Sequence, residues 1–215
     1  MYIPPHFAEQ RLDVLHELMT SHAFATLVTR GENGLIASHV PVVLLPTQGK
    51  FGTLQLHLAK LNPQCEDLAA GIESLAIFHG PHGYVSPTWY ATPATVPTWN
   101  YVAVHAYGAP RVMTDDGLRD HLDALAATYE AARANGWDSG KLPGDVFEKM
   151  RRAIVGFEIL ITRLEGKWKL GQNRTPADRI GAIAGLRATG APQDCTLADW
   201  MAAAMGTKTT PDGSR

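Results

Sequence analysis

Residues 25–45 read ATLVTRGENGLIASHVPVVLL, two runs rich in branched and apolar side chains joined by GENG. β-branched residues fit a pleated, half-buried surface, and an Asn-Gly pair supplies the positive φ that a tight hairpin turn demands, so Asn33-Gly34 predicts an antiparallel hairpin. Pro41 lies inside the second run and has no N–H to donate, which argues for a bulge or an edge strand there. Upstream, EQRLDVLHELMTS at 9–21 spaces Leu12, Leu15, Leu18 and Met19 as one helical face. Downstream, PTQGKFG is a turn, TLQLHLA a third strand, NPQCEDLAAG a short helix and SLAIFHG a buried strand.

Next comes Gly80 to Gly108, GPHGYVSPTWYATPATVPTWNYVAVHAYG, with four prolines and two of the five tryptophans. Each X-Pro step biases its predecessor towards extended or turn geometry, so this reads as a stiffened loop able to present flat side chains to a planar ligand. YVAVHAYGAPRVMT is a long strand bent at Gly108 and Pro110, and residues 115–135 form an amphipathic helix on Leu118, Leu122, Leu125 and Tyr129. After the linker GWDSGKLPGD come a shorter helix, VFEKMRRAI, and a half-buried strand, GFEILITRLEGKWKL, in which Phe157, Ile159 and Ile161 alternate. Thr175-Pro176 offers an N-cap and first-turn proline for a last helix, with Asp178 near its positive end. These elements predict a mainly β, α+β protein whose antiparallel sheet closes into a barrel or sandwich. One domain is expected over residues 1–205, with helical appendages, followed by a disordered tail at 206–215.

The 215 residues are 45% hydrophobic and 19% charged, proportions of a globular chain. A formal net charge of -2 gives no bulk support for binding a phosphate backbone. Cys65 and Cys195 form neither a CxxC pair nor a disulfide framework, and MYIPPHFAEQ has no signal-peptide pattern, so a soluble cytoplasmic protein is expected. No run of about 18 apolar residues suggests a membrane partner. His79 and His82 lack a third ligand, which argues against a metal. No GxSxG, HExxH, P-loop or GxGxxG pattern occurs, neither cysteine has an electropositive context, and no residue is nominated as catalytic. KMRR at 149–152 is the one dense basic cluster, and on a helix it reads as a solvated face.

Several stretches in order, MYIPPHF, ASHVP, LHLAKLNP, FHGPHGYVSPTWY, VPTWNYVAVHAYG and GFEILITRLEGKWKLGQNR, resemble the PaiB family of FMN-binding negative transcriptional regulators. VPTWNY and KLGQNR are the most specific. Cys65 stands where the family favours an aromatic residue, and LGQN replaces LSQN, which removes a hydroxyl at Gly171. The resemblance implies a flavin-binding split β-barrel of six strands, assembled as a homodimer with FMN in two interface clefts.

On that footing Lys60 and Asn62 are expected at the FMN phosphate, a point charge and an amide donor. The ordinary alternative is a solvated lysine and an Asn-Pro turn. His57 alternates with Leu56 and Leu58 and faces either a cleft or solvent. Ser38, His39 and Val40 match the segment that lies along the flavin, with N–H groups freed by the irregularity at Pro41; they also read as an exposed strand face. Trp99 is expected to stack on the ring while Asn100 reads the pyrimidine edge. Trp89 and Tyr90 suit a dimer interface. Lys169, Gln172 and Asn173 precede a helix N-terminus and either present donors to the cofactor or cap the turn.

Two functions follow. The resemblance implies a regulator, in Bacillus of extracellular protease and sporulation genes, although no helix-turn-helix or basic arm is present to read DNA. The alternative is an FMN-dependent NAD(P)H oxidoreductase acting on a small acceptor, with His39, His57 or His105 as proton donors. A haem-degrading split barrel is more remote, since none of the nine histidines is singled out as an axial ligand.

Overall fold

The computed structural model describes residues 1–32, 34–134, 136–137, 139–141 and 143–206. In chain order the strands are β1 (Ala8–Glu9), β2 (Phe24–Gly31), β3 (Gly34–Pro41), β4 (Val43–Leu45), β5 (Thr53–Ala59), β6 (Ser74–Val85), β7 (Thr98–Gly108), β8 (Pro110–Val112), β9 (Ile154–Leu160) and β10 (Arg163–Lys169). The helices are α1 (Leu12–Ser21), α2 (Gln64–Ala69), α3 (Asp115–Glu130), α4 (Gly144–Arg151), α5 (Pro176–Ala188) and α6 (Pro192–Gly206). One sheet has the strand order β1-β10-β7-β6-β2-β3, and a second has β4-β5-β9-β8. The chain gathers into two compact units, one of residues 10–78 and 104–165, the other of residues 1–9, 79–103 and 166–215. Strands β6, β7 and β10 run from one unit into the other.

In the first unit the hairpin forms as its sequence requires. β2 and β3 pair antiparallel from Phe24↔Pro41 to Gly31↔Gly34, and Gly34 has φ +94°, the left-handed region that favours glycine. Asn33 lies outside the described residues. β3 ends the strand order, so Pro41 is on an edge strand, as its missing donor demands. Ala25 and Leu27 turn inward on β2, whereas β3 buries only Val40 and leaves its other side chains exposed or half-exposed. A polar network, invisible to hydrophobic periodicity, clamps α2 to this hairpin. Gln64 Nε2 donates to the Leu27 and Ile36 carbonyls at 3.1 and 3.2 Å, and Thr29 Oγ1 donates to Asp67 Oδ2 at 2.6 Å in a buried setting. The four-stranded sheet inserts Leu54, Leu56, Phe157 and Ile159, all essentially inaccessible. Removing any one from water contributes roughly 1.5–3 kcal/mol.

The single strand expected at GFEILITRLEGKWKL is two. β9 pairs with β5 and β8, then the chain bends where Ile161 N–H donates to the Gly52 carbonyl and Thr162 N–H to the Tyr107 carbonyl. β10 follows and pairs with β1 through Ala8↔Lys167 and Glu9↔Gly166, in the second unit. The stiffened loop is also shorter than its composition suggests. β6 continues through Pro81 to Val85 and β7 begins at Thr98, leaving 86–97 between them.

Trp89, expected at a dimer interface, is half-buried and packs one face within its own chain. A Cβ on Gly185 of α5 would sit 2.2 Å from Trp89 Cδ2, and one on Gly181 would sit 2.0 Å from the Trp89 carbonyl oxygen, so these glycines form the notch that receives it. α5 starts as predicted, with Thr175 Oγ1 accepting from the Asp178 N–H at 3.2 Å and Pro176 in the first turn. α6 has no counterpart among the sequence expectations. Its alanines and apolar residues are spread around the helix without a stripe, so no 3.6-residue period announces it, and it is held by burial of Leu197, Ala198 and Met201. The expected tail from 207 onward lies outside the described residues.

Candidate functional site

Two clusters hold most of the nominated residues, one in each unit. In the first unit, Ser38 stands opposite Leu27 in the hairpin register, and its Oγ accepts from Asn62 Nδ2 at 2.9 Å. Asn62 Oδ1 accepts from the Gln64 N–H at 2.9 Å, so the carboxamide is oriented from both ends and keeps a second N–H to offer. Lys60, exposed, sits two residues away, its N–H tied to the Ala153 carbonyl at 2.8 Å. His39 projects from the opposite face of β3 to Ser38 and Val40. Its Nδ1 lies 3.1 Å from Thr26 Oγ1 and its ring stacks 6.3 Å from Phe24, an exposed aromatic residue. The expectation that Pro41 frees backbone donors is corrected. The register is regular through Pro41, and the next amide, Val42, donates to the Ala23 carbonyl at 2.9 Å. Outward-facing amides on β3 arise from its edge position.

His57 belongs to different surroundings. With Leu56 and Leu58 turned inward, it faces α3, and its Nδ1 lies 3.1 Å from Nε2 of His121. Burial lowers the pKa of His57, and burial followed by the charge of His57 lowers that of His121 to about 4. The pair is held towards the neutral form, with His121 buried and His57 half-buried. Nothing in the sequence near His121 marks it as the partner.

In the second unit, alternation along β7 separates the two residues expected to act together. Trp99 is 55% exposed, with Tyr84 and His82 rings at 6.3 and 6.4 Å, whereas Asn100 is 2% exposed and points its Nδ2 at Met201 Sδ of α6, 3.4 Å away. Neighbours on a strand face opposite sides, so Trp99 and Asn100 do not present one surface, and Asn100 lies buried against α6. Lys169 Nζ donates to Thr98 Oγ1 at 2.5 Å and to the Trp99 carbonyl at 2.6 Å, which holds the ammonium beside the indole's backbone. Burial, then the charges of Lys167 and Arg174, lower its pKa. Sequence reading passed over Lys167 and Arg174, although Lys-Trp-Lys at 167–169 places two cations on one strand face. Gln172 is spent on its own turn, accepting from the Leu170 N–H at 2.8 Å and donating to the Trp168 carbonyl at 2.6 Å. Asn173 is exposed. Gly171 has φ +81°, so glycine at this point of LGQN follows from a left-handed backbone that a serine would strain. Tyr90, grouped with Trp89 in the sequence reading, lies under the Arg174 guanidinium at 4.6 Å.

A further contact in this unit escaped the sequence. Asp178 accepts from the Thr92 N–H and hydroxyl, both at 2.8 Å, and these bonds, the backbone one foremost, hold its pKa below the usual carboxylate range. They fasten the 86–97 loop to the start of α5.

The residues fit a flavin mononucleotide chemically. Ser38, Asn62 and Lys60 combine a hydroxyl, an amide and an ammonium, the donors a phosphate dianion takes. Trp99 is a large indole held open, and Lys169 is a partly desolvated cation crowded by like charges, which an electron-rich group would relieve.

The architecture defines the class: a split β-barrel, α+β and mainly antiparallel. It is shared with the FAD and haem binding protein of Mycobacterium smegmatis (TM-score 0.60, 19% identity, 81% of this chain and 79% of that one). It is also shared with the flavocytochrome Anf3 of Azotobacter vinelandii (TM-score 0.54, 12% identity, 78% and 72%). Residues 1–163 match the family model described as "Putative FMN-binding domain". The chain is 33% identical over 203 residues to the protease synthase and sporulation protein PAI 2 of Bacillus subtilis, covering 94% of this chain and 96% of that protein. The chain therefore belongs to the PaiB-like FMN-binding family, and its cofactor is FMN. Among the described residues no helix is long and apolar enough to cross a membrane, and no group of three or more His, Cys, Asp or Glu side chains is placed to hold a metal ion.

Proposed function

We propose that the protein is a homodimeric, FMN-containing negative regulator of transcription. The observation that carries this reading is the near full-length similarity to PAI 2, whose name refers to protease synthesis and sporulation. In the proposed site Ser38, Asn62 and Lys60 take the phosphate, with Val40 and the edge of β3 beside the flavin and His39 at its margin. Trp99 supplies a wall for the ring of the partner protomer's flavin, with Lys169 presenting positive charge there. Gln172 supports that turn rather than touching the cofactor, and Asn173 lies exposed beside it. His57 and Asn100 leave the set, because one is engaged with His121 and the other with Met201.

Bound FMN supplies a two-electron acceptor whose charge changes on reduction. The protein's own residues do the rest: they fix the phosphate, cover one ring face and set the local charge through Lys169, Lys167 and Arg174. Direct DNA contact through the basic run at 149–152 is disfavoured, since Arg151 is already paired with Asp115 and Glu148 at 2.7 and 2.9 Å. Regulation then works through a partner or through a basic groove made by the dimer. We further propose that residues 1–205 fold as one cooperative domain, because three strands are shared by both units.

The test is an electrophoretic mobility shift with the flavin-loaded protein at ~100 mM salt, using the DNA upstream of its own gene and a scrambled duplex. Preferential retardation of the upstream DNA supports direct regulation. Equal weak binding to both assigns recognition to a partner. A monomeric mass by light scattering at micromolar protein removes the two-protomer site.

A further inference from the structure

Away from the proposed flavin residues, α3 and α4 border an open-mouthed cavity of about 440 Å³, within the first unit. Its walls include Leu122, Leu125 and Tyr129 from α3, Phe147 and Met150 from α4, and Ile154 from β9, and His57 of β5 reaches it. That volume lies in the range of small-molecule sites, which run from about 300 to 1,000 Å³ and combine apolar walls with a few fixed polar groups. Tyr129 and Met150 remain 49% and 61% exposed, an apolar opening without a water-facing purpose.

The charges near the cavity are already satisfied. Arg151 is paired with Asp115 and Glu148, and Glu130 lies 3.5 Å from Arg133 and accepts from the Trp137 N–H at 3.1 Å. A ligand therefore needs no net charge. Of the uncharged polar groups, the Tyr129 hydroxyl and the Trp137 indole belong to exposed residues at the opening, whereas His57 is half-buried, and the histidine pair defines which kind of hydrogen bond His57 offers. His121 is fully buried and its Nδ1 has no hydrogen-bond partner. An orphaned buried lone pair is tolerated better than an orphaned buried N–H. His121 therefore carries its proton on Nε2 and donates it to His57 Nδ1, which puts the proton of neutral His57 on Nε2. His57 is thus a hydrogen-bond donor.

We infer that this cavity is a second ligand site, distinct from that of FMN, and that it takes neutral, flat aromatic molecules carrying a carbonyl oxygen, which accepts from His57 Nε2–H while the ring lies among Leu122, Leu125, Tyr129 and Phe147. The inference does not depend on the regulatory role.

The experiment titrates flavin-loaded protein with 2-acetylnaphthalene by calorimetry, with 2-ethylnaphthalene as the analogue lacking the oxygen, while flavin absorbance is followed. Expected are saturable binding of one 2-acetylnaphthalene per protomer, binding of 2-ethylnaphthalene weaker by about fivefold to tenfold, and full retention of flavin. Leu125→Trp, which fills the cavity, abolishes binding, and His57→Leu makes the two compounds equal. If Leu125→Trp does not fold, the pair of compounds on the native protein still decides. Absence of saturable binding up to the solubility limit, equal affinity for the two compounds on the native protein, unchanged binding in folded Leu125→Trp, or release of flavin by the probe each overturns the site.

Discussion

Two hydrogen bonds of similar length flank strand β5 and behave in opposite ways. Asn62 Nδ2 meets Ser38 Oγ at 2.9 Å in a half-exposed setting, beside an exposed lysine. His57 Nδ1 meets His121 Nε2 at 3.1 Å beneath α3, where burial pushes both imidazoles towards the neutral form. In the proposed site the first keeps donors in hand for an incoming anion, whereas the second uses its polarity internally and, on our tautomer assignment, offers one neutral N–H. Distance alone does not separate a site for charge from a site for shape. Solvent access does, because it sets what ionisation costs.

The sharpest way to break this contrast is to delete one partner from each pair. Asn62→Ala is expected to weaken FMN binding about 10- to 100-fold, the worth of a charge-assisted hydrogen bond and its orienting role. Its thermal stability should change little. His121→Ala should leave FMN affinity intact and cost about 2–4 kcal/mol in urea unfolding, through a buried cavity and an unpaired His57. Reversed outcomes would exchange the roles of the two pairs.

A similar pairing tests β7. Trp99→Ala should weaken flavin binding about tenfold, comparable to the loss of one aromatic contact, while Asn100→Ala lowers the melting temperature without altering flavin titrations. Equal loss of flavin affinity in both variants would restore Asn100 to the site.

The histidine pair also predicts a pH dependence. Both folded-state pKa values are lowered, His121 to about 4. Below the unfolded-state value of about 6.5 the unfolded chain binds protons that the folded pair refuses. Stability is therefore level above pH 6.5, falls as pH drops towards 4, and levels again below. Urea midpoints for His121→Phe should show a flatter limb over that window, and an equally steep limb would place the titration elsewhere.

The last effect is expected at the Trp89 notch. Gly185→Ala intrudes on the indole and should cost about 1–3 kcal/mol as overpacking. Calorimetry should show one transition in both native and variant protein. Two transitions would mean that the two units unfold separately.

Local sequence carried the hairpin, because Gly34, the branched runs and Pro41 each impose a backbone constraint within a few residues. It carried the α5 cap for the same reason, Thr175 acting on an N–H three residues away. Ser38, Lys60 and Asn62 stood out through their motifs, the first expected along the flavin and the other two at its phosphate, but that Ser38 and Asn62 touch each other was not legible, since their contact depends on how β3 meets the turn after β5. Less was legible where the partner is distant and chemically ordinary. His121 lies 64 residues from His57, and Met201 lies 101 from Asn100. α6 carried no periodic stripe, and Gly181 and Gly185 looked like weak points of a helix until Trp89 filled them.

The amino-acid sequence by itself determined the antiparallel hairpins, the family and its flavin, since these rest on short-range backbone preferences and on motifs that keep their order. Tertiary structure alone decided which face each nominated side chain occupies, which histidine is neutral and where the cavity lies. Those properties come from burial and from contacts between residues far apart in the chain, and no local pattern encodes the dielectric that another segment creates.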